Sequence, residues 1–273
     1  MTRHITVCAD DHGHDPLLSA TLIELAQRGR LNALSSLCNG PHWPAAAPAL
    51  AGLPAAVQCG LHFNLTLGAP LSATLRTQWP TLPALPTLIV QAHLGALPLA
   101  AIEAELQAQW QAFVQASGRR PSHLDGHQHV HHLPGVRNAV LALARREQLP
   151  LRGTGQVAGP GFAVKRMLIE RTGGRALQAA MANSKIRYSR VLLGVYDFAA
   201  TDYRALMQAW LAAAPDQGGL LMCHPSRGAD PADPISAARQ REATYLGSDA
   251  FIDDLQAAGF SLGPCWQQNS SAG

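Results

Sequence analysis

The chain has 273 residues, of which 47% are hydrophobic and only 14% are charged, and its net charge is +3. These values argue against a disordered chain, which combines low hydrophobicity with high net charge. They also argue against a nucleic-acid-binding protein, which concentrates basic residues on one face. The low charge indicates a helical surface rich in Leu and Ala. The alternative is a subunit interface of a homodimer.

Short apolar runs alternate with longer segments of helical spacing. In chain order the pattern predicts strand 5–9, helix 17–27, strand 34–38, helix 43–51, strand 56–61, helix 99–116, strand 123–126, helix 136–147, strand 149–152, helices 164–170 and 175–182, strand 191–195, helix 202–214, strand 219–223, and helices 237–246 and 250–258. Residues 68–86 lack clear periodicity and predict a long loop insertion that reaches to about residue 98. The polar tail after Cys265 is expected to fray.

This alternation predicts parallel strands joined by right-handed crossovers. About seven such units fit a closed or partly closed barrel. The predicted fold class is therefore α/β, a distorted (β/α) TIM-like barrel, with residues 1–273 in a single domain.

Cysteine usage and hydropathy predict a cytoplasmic protein. The five cysteines form no C-x-x-C pair, and their odd number argues against a disulfide framework. No signal-peptide segment precedes residue 5, and no run of 18 apolar residues predicts a membrane span.

Polar side chains follow the predicted strands at their carboxyl ends, the face that carries active sites in parallel α/β barrels. They are Asp10, Asp11, His62, Asp125, His127, His129, Arg152 and His224. Their convergence at one end of the strands predicts a site there.

Most of these residues also have a structural interpretation when taken singly. Asp10 and Asp11 project to opposite sides if the strand stays extended, so that one can bind a metal while the other acts as a base; alternatively they cap the following helix. His62, beside an aromatic residue, is typical of a hydrogen-bonded core histidine. His224 is either a general acid or a cap of the strand end.

The segment HLDGHQHVHH at 123–132 favours a metal site over a solvated loop. Period-two spacing places His127, His129 and His131 on one side if the strand continues, and Asp125 can orient a ligand imidazole. Imidazoles with a carboxylate suit Zn, Fe, Mn or Ni, and also Mg where carboxylate and water dominate.

Four motifs stand in order along most of the chain: ADDHG at 9–13, GLHFNLT at 60–66, HLDGHQHVH at 123–131 and CHP at 223–225. Together they resemble the YdjC-like carbohydrate deacetylases, a family that includes chito-oligosaccharide deacetylases and hopanoid-biosynthesis-associated proteins. The resemblance implies a distorted (β/α) barrel, one divalent metal ion (Mg or Zn) and hydrolysis of an N-acetyl group on an amino sugar or glycolipid.

By position, the resemblance implies that Asp11, His62 and His127 hold the metal. Asp10 matches the general base, and His224 matches the acid that protonates the leaving amine.

We further predict that Arg152, His129 and Asn64 contact the substrate. The chain departs from the family at His12, where Phe is usual, and we expect His12 and His14 to add imidazoles near the metal.

Two other functions fit the same residues. One is a different metallohydrolase on this scaffold, such as a phosphoesterase, because barrels host many chemistries. The other is a non-catalytic protein that binds metal or sugar. No nucleic-acid partner is expected.

Overall fold

A seven-stranded parallel sheet curls around the centre of the computed structural model, which describes residues 3–266. The strands are β1 (Arg3–His12), β2 (Ala33–Ser36), β3 (Gln58–Phe63), β4 (Leu124–Gly126), β5 (Leu192–Leu193), β6 (Leu220–Cys223) and β7 (Phe260–Leu262). The sheet order is β4-β3-β2-β1-β6-β5, with β7 also paired to β1. The predicted α/β class with parallel strands is confirmed.

Strand β1 is the centre of the sheet. Thr6 to Ala9 pair with β6, Cys8 and Ala9 also pair with β2, and the residues from Arg3 to Ile5 pair with β7. Ile5, Val7 and Ala9 are fully buried, as expected for a parallel strand covered on both faces.

Isolated bridges span the gap between β4 and β5. Leu151 pairs with both Leu124 and Tyr188, and Val157 pairs with Leu192. The predicted strand 149–152 is thus reduced to a bridge, because Pro150 has no backbone N–H with which to extend the ladder. These bridges turn the curled sheet into a distorted, partly closed barrel.

Eleven α-helices surround the sheet in the described part of the chain. They are α1 (Pro16–Gln27), α2 (Trp43–Ala46), α3 (Ala73–Arg76), α4 (Leu85–His93), α5 (Leu99–Ser117), α6 (Val136–Glu147), α7 (Ala163–Ile169), α8 (Arg175–Ala182), α9 (Tyr203–Ala213), α10 (Ser236–Gly247) and α11 (Asp249–Ala257). Most of the predicted helices are confirmed to within one residue at each end.

One predicted helix is divided in the structure, and two others are joined by a turn that was not predicted. The segment 43–51 becomes α2 followed by a 3-10 helix, Ala47–Gly52, that has Pro at its start. Helix α7 ends at Ile169 and continues into a π-helical turn, Glu170–Gly174, before α8 begins.

The region predicted as a long loop contains α3 and α4. Four buried leucines of this region pack against the core: Leu75, Leu82, Leu88 and Leu97. The carboxylate of Glu105 accepts hydrogen bonds from the backbone N–H groups of Leu71 and Ser72 at 3.0 and 2.7 Å. The helices here were missed because each is too short to show a clear apolar period.

The last described residues add one strand to the sheet. Strand β7 was not predicted, since three residues carry almost no pattern. Cys265 donates its backbone N–H to Thr6, and Trp266 donates its indole N–H to Gln58 at 2.7 Å. The rest of the predicted tail, residues 267–273, lies outside the described residues. Within residues 3–266, none of the helices has the length and apolar character needed to cross a bilayer.

Candidate active site

The carboxyl ends of β1, β3, β4 and β6 meet at one side of the barrel. Asp10 and Asp11 lie at the end of β1, His62 in β3 and Asp125 in β4, and His224 follows β6. Together with Arg152, these side chains form one connected cluster of ion pairs and hydrogen bonds.

The end of β1 departs from regular strand geometry. Asp11 has φ 70°, and the register with β2 shifts between Ala9 and His12. Aspartate tolerates the left-handed region better than most residues, because its short polar side chain can bond locally. The two adjacent carboxylates therefore reach the same site instead of pointing to opposite faces. The capping alternative is also excluded, because Asp15 caps α1 by accepting from the backbone of Leu18.

Three donor atoms face one another at the centre of the site. Asp11 Oδ1 lies 3.1 Å from His127 Nδ1 and 3.7 Å from His62 Nε2. All three atoms lie within 4.8 Å of one another. Burial favours the neutral form of Asp11, but the hydrogen bond and charge of His127 outweigh it and hold the pKa of Asp11 well below its usual range.

Asp125 orients His62. His62 Nδ1 lies 2.6 Å from Asp125 Oδ1 and donates to it, which leaves the Nε2 lone pair facing Asp11. Burial lowers the pKa of His62, but the charge of Asp125 and the neighbouring carboxylates outweigh that effect and raise it. The role expected of Asp125, holding an imidazole from behind, matches this contact.

Arg152 joins Asp10 to Asp125 in the barrel interior. Its Nη1 and Nη2 lie 2.7 and 2.6 Å from the two oxygens of Asp10, and Nη2 also pairs with Asp125. The Arg152 side chain is completely buried. A substrate cannot touch a side chain that has no exposed surface. The position of Arg152 therefore does not support the predicted contact with the substrate.

His224 lies at the rim beside Asp10. Its Nε2 is 3.9 Å from Asp10 Oδ2, and its ring meets the edge of Phe198 at 5.5 Å. Burial lowers the pKa of His224 to about 4, so the imidazole is neutral at pH 7. The His224 backbone N–H donates to the buried carboxylate of Glu242, whose pKa burial raises to about 7.

The His-rich segment turns immediately after β4. His127–His132 form a 3-10 turn in which Gln128 and His129 adopt left-handed conformations. Gly126 is required before this turn, because a Cβ there would lie 2.8 Å from the backbone N of His131. The strand does not continue past Gly126, so the condition under which His127, His129 and His131 would share one side is not met.

Two histidines of this segment are structural. His131 donates to the carbonyl of Arg152 at 3.0 Å, and His132 bonds Thr154 and Thr172 through its two ring nitrogens. His129 is half-buried and packs against the rings of both.

Asn64 folds the loop after β3. Its amide donates to Asn39 and to the carbonyl of Leu67 at 2.9 and 2.8 Å, and its oxygen accepts from the backbone of Thr66 and Leu67. Its side-chain groups are thus engaged within the chain, and a substrate contact by Asn64 finds no support here.

His12 points away from the donor cluster. Its Nδ1 lies 3.1 Å from Ser36 Oγ, its ring packs edge-on against Trp43, and it has no exposed surface. Burial lowers its pKa to about 4. The expectation that His12 adds an imidazole near a metal is therefore wrong. His14, beyond the strand, is half-buried.

Three contributors to the site were missed from the sequence. Arg239 and Glu242 lie on α10, and Ser35 of β2 donates to Asp125 Oδ2 at 2.7 Å. A helix with Arg and Glu in its middle reads as a solvated helix, so the pattern gave no signal. Only their burial in the fold identifies them.

The family model described as YdjC-like protein matches residues 4–257 of the chain. The chain is 36% identical over 156 residues to a chitooligosaccharide deacetylase of Escherichia fergusonii, covering 56% of this chain and 60% of that protein. A chitooligosaccharide deacetylase of Klebsiella pneumoniae is 36% identical over 165 residues, covering 58% and 62%. The aligned region thus spans about three fifths of the length of these relatives.

A solved structure has the same fold. A proposed cellobiose-phosphate cleavage protein from Enterococcus faecalis aligns with a TM-score of 0.74 at 22% identity, over 97% of this chain and 98% of that one. The family model, which covers almost the whole chain, establishes the kinship. The chain belongs to the YdjC-like family.

Proposed function

We propose that the chain is a metal-dependent carbohydrate deacetylase that hydrolyses the N-acetyl amide of an amino sugar or glycolipid. The observation that carries this proposal is the convergence of Asp11 Oδ1, His62 Nε2 and His127 Nδ1 beside a carboxylate, Asp10, and an imidazole, His224. Chitooligosaccharide deacetylases among the relatives support the substrate class.

The donor set fits a divalent cation. Two imidazoles and one carboxylate leave coordination positions open for water and substrate, and they suit Zn better than Mg. The formal charges agree, since the carboxylates of Asp10, Asp11 and Asp125 pair with the guanidiniums of Arg152 and Arg239, and Arg239 is shared with a further carboxylate, Asp233. The carboxylates outnumber the guanidiniums, and a cation would balance part of the excess negative charge. A metal bound there would lower the pKa of a water molecule and polarise the acetyl carbonyl.

The remaining chemistry belongs to the side chains. Asp10 accepts the proton of the attacking water; its oxygens are held by Arg152, but each keeps a further lone pair. His224, neutral at rest, takes from Asp10 the proton that the attacking water gave up and passes it to the amine nitrogen as the C–N bond breaks, which gives acetate and a free amino sugar. The 3.9 Å between His224 Nε2 and Asp10 Oδ2 lets both groups face the same reacting atoms.

The fully buried Arg152 positions Asp10. Of the three residues predicted to contact the substrate, Arg152, His129 and Asn64, we still propose this role for His129 alone. The proposed reaction acts on a small acetylated sugar or a glycolipid and takes place in the cytoplasm.

An acetate-release assay tests the proposal. The metal-free protein is supplied with Zn²⁺, Mn²⁺ or Mg²⁺ and offered N-acetylated chito-oligosaccharides, glycolipid head groups and, as a control panel, phosphate esters. We expect acetate release that a chelator abolishes and added metal restores. Phosphate release without acetate release would identify a phosphoesterase, and tight metal binding without turnover would identify a binding protein.

A further inference from the structure

Arg239 on α10 has a different partner for each nitrogen of its guanidinium. Nη2 donates to Asp11 Oδ2 at 2.8 Å, Nη1 donates to the His224 carbonyl at 3.3 Å, and Nε donates to Asp233 at 2.7 Å. The residue is 6% exposed. One rigid group thus spans two strand ends, those of β1 and β6.

The contact with Asp11 decides which of its oxygens is free. Because Arg239 occupies Oδ2, Oδ1 alone faces His62 and His127. The carboxylate is held in the orientation of a ligand that offers a single oxygen. Without the guanidinium, the carboxylate is free to rotate about its terminal torsion, which is broad in energy.

Helix α10 also holds the main chain of His224 from both sides. The His224 carbonyl accepts from Arg239, and its N–H donates to Glu242 at 2.5 Å. The backbone of Ser226 donates to the carbonyl of Arg239 at 3.1 Å. Residues three apart share one helix face, so Arg239 and Glu242 act on the same turn of chain.

We propose that Arg239 is a positioning residue that couples the metal ligand Asp11 to the acid His224, and that Glu242 completes the His224 half of this clamp. The inference rests on the proposed function and extends it. Lysine cannot replace Arg239, because a single ammonium lacks the planar fork that reaches several acceptors at fixed angles.

If Arg239 and Glu242 act in this way, substitutions of the two residues should have different effects. Arg239→Gln and Arg239→Lys should weaken metal binding by roughly 10- to 100-fold, the usual effect of losing a group that orients a ligand. Both should also lower kcat at saturating metal, because the His224 carbonyl loses its guanidinium donor. Glu242→Gln should lower kcat and leave the metal Kd unchanged, since the Glu242 carboxylate holds the His224 N–H and the Tyr196 hydroxyl rather than Asp11.

Calorimetric titration of the metal-free full-length protein with Zn²⁺ measures the Kd without any substrate, and acetate release at saturating Zn²⁺ measures kcat. Arg227→Gln is the matched control. Arg227 lies on the same loop as His224, but its guanidinium pairs with Glu24 on the exposed surface. Both of its readouts should equal those of the unsubstituted protein.

Measuring the metal Kd and kcat separately distinguishes a positioning role from a merely structural one. Loss of a merely structural residue would lower the Tm and leave both the metal Kd and kcat unchanged. Unchanged Kd in the Arg239 variants would overturn the inference while leaving the deacetylase proposal in place. A weakened Kd in a protein that releases no acetate from any sugar would uphold the Asp11 half and overturn the proposed function. If Arg239→Gln fails to fold, Arg239→Lys and Glu242→Gln decide.

Discussion

Arg152 donates two hydrogen bonds from its guanidinium nitrogens to the carboxylate of Asp10, at 2.7 and 2.6 Å. Both side chains are buried in the barrel interior. A buried ion pair of this kind contributes little net stability compared with well-packed apolar residues, but losing one partner leaves a charge in a medium that cannot solvate it. The pair is therefore better understood as orientation of Asp10 than as stabilisation of the fold.

The first prediction follows from this pair. Arg152→Gln should lower the free energy of unfolding by about 3–5 kcal/mol, because Asp10 and Asp125 both lose their buried partner. Urea denaturation measures the change. Arg28→Gln, which breaks an ion pair between two partly exposed side chains, Arg28 and Glu24, is the control and should change stability by about 1 kcal/mol or less. If the two substitutions lowered the free energy of unfolding equally, breaking the buried pair would be no more destabilising than breaking a surface pair.

The second prediction concerns the base. Asp10→Asn should reduce acetate release by roughly 10²- to 10⁴-fold, because an amide cannot accept the proton of the attacking water. Metal affinity should stay near that of the unsubstituted protein, since Asp10 is not among the three donors. The rate comes from acetate release and the affinity from titration with metal. Full activity in this variant would assign the base to another group.

The third prediction concerns the support of His62. Asp125→Asn should weaken metal binding by about 10- to 100-fold, because the imidazole loses the carboxylate that fixes its ring and strengthens its Nε2 as a donor. The test is the metal Kd of the variant. Asp249→Asn, whose carboxylate is 96% exposed, serves as control. An Asp125→Asn variant with an unaltered Kd would mean that His62 is oriented by its packing alone.

The fourth prediction concerns pH and His12. The folded protein holds the pKa of His12 at about 4, below its ordinary 6.5, because burial disfavours the charged imidazole. Between these two pKa values the unfolded chain binds a proton at His12 and the folded chain does not. Protonation therefore favours the unfolded chain, and the free energy of unfolding decreases as the pH falls from about 6.5 to about 4. His12→Phe should remove that loss, which amounts to about 2 kcal/mol at pH 5.

Urea denaturation at pH 8 and pH 5 gives the result for His12. The stability of His12→Phe relative to the unsubstituted protein should rise on going to pH 5. His42→Phe, at an exposed histidine, should show the same relative stability at both pH values. Parallel pH curves for His12→Phe and the unsubstituted protein would contradict the prediction.

The sequence was informative where chemistry followed strand ends. His62, Asp125 and His224 could be placed together because the carboxyl ends of parallel strands meet at one edge, whatever their separation in sequence. The helices were equally accessible where their apolar spacing was long, as in α5 and α6.

Other features could not be read from the pattern. Arg239 reaches Asp11 across 228 residues, and nothing in α10 marks its arginine as buried. The turn at His127 depends on left-handed backbone at Gln128 and His129, which neither residue type announces. His12 follows the break at the end of β1, where Asp11 is left-handed and the register with β2 shifts, and the sequence pattern of a strand does not reveal such a break.

The left-handed backbone at Asp11 has a consequence for anyone transferring this site to another barrel. Copying the side chains onto a regular strand would send one of the two adjacent carboxylates out of the barrel, because side chains alternate along an extended segment. The local break at Asp11, with φ 70° and a shifted register against β2, must be transferred with them. At this position residues branched at Cβ pay the highest steric penalty, so Asp or Asn is the natural choice.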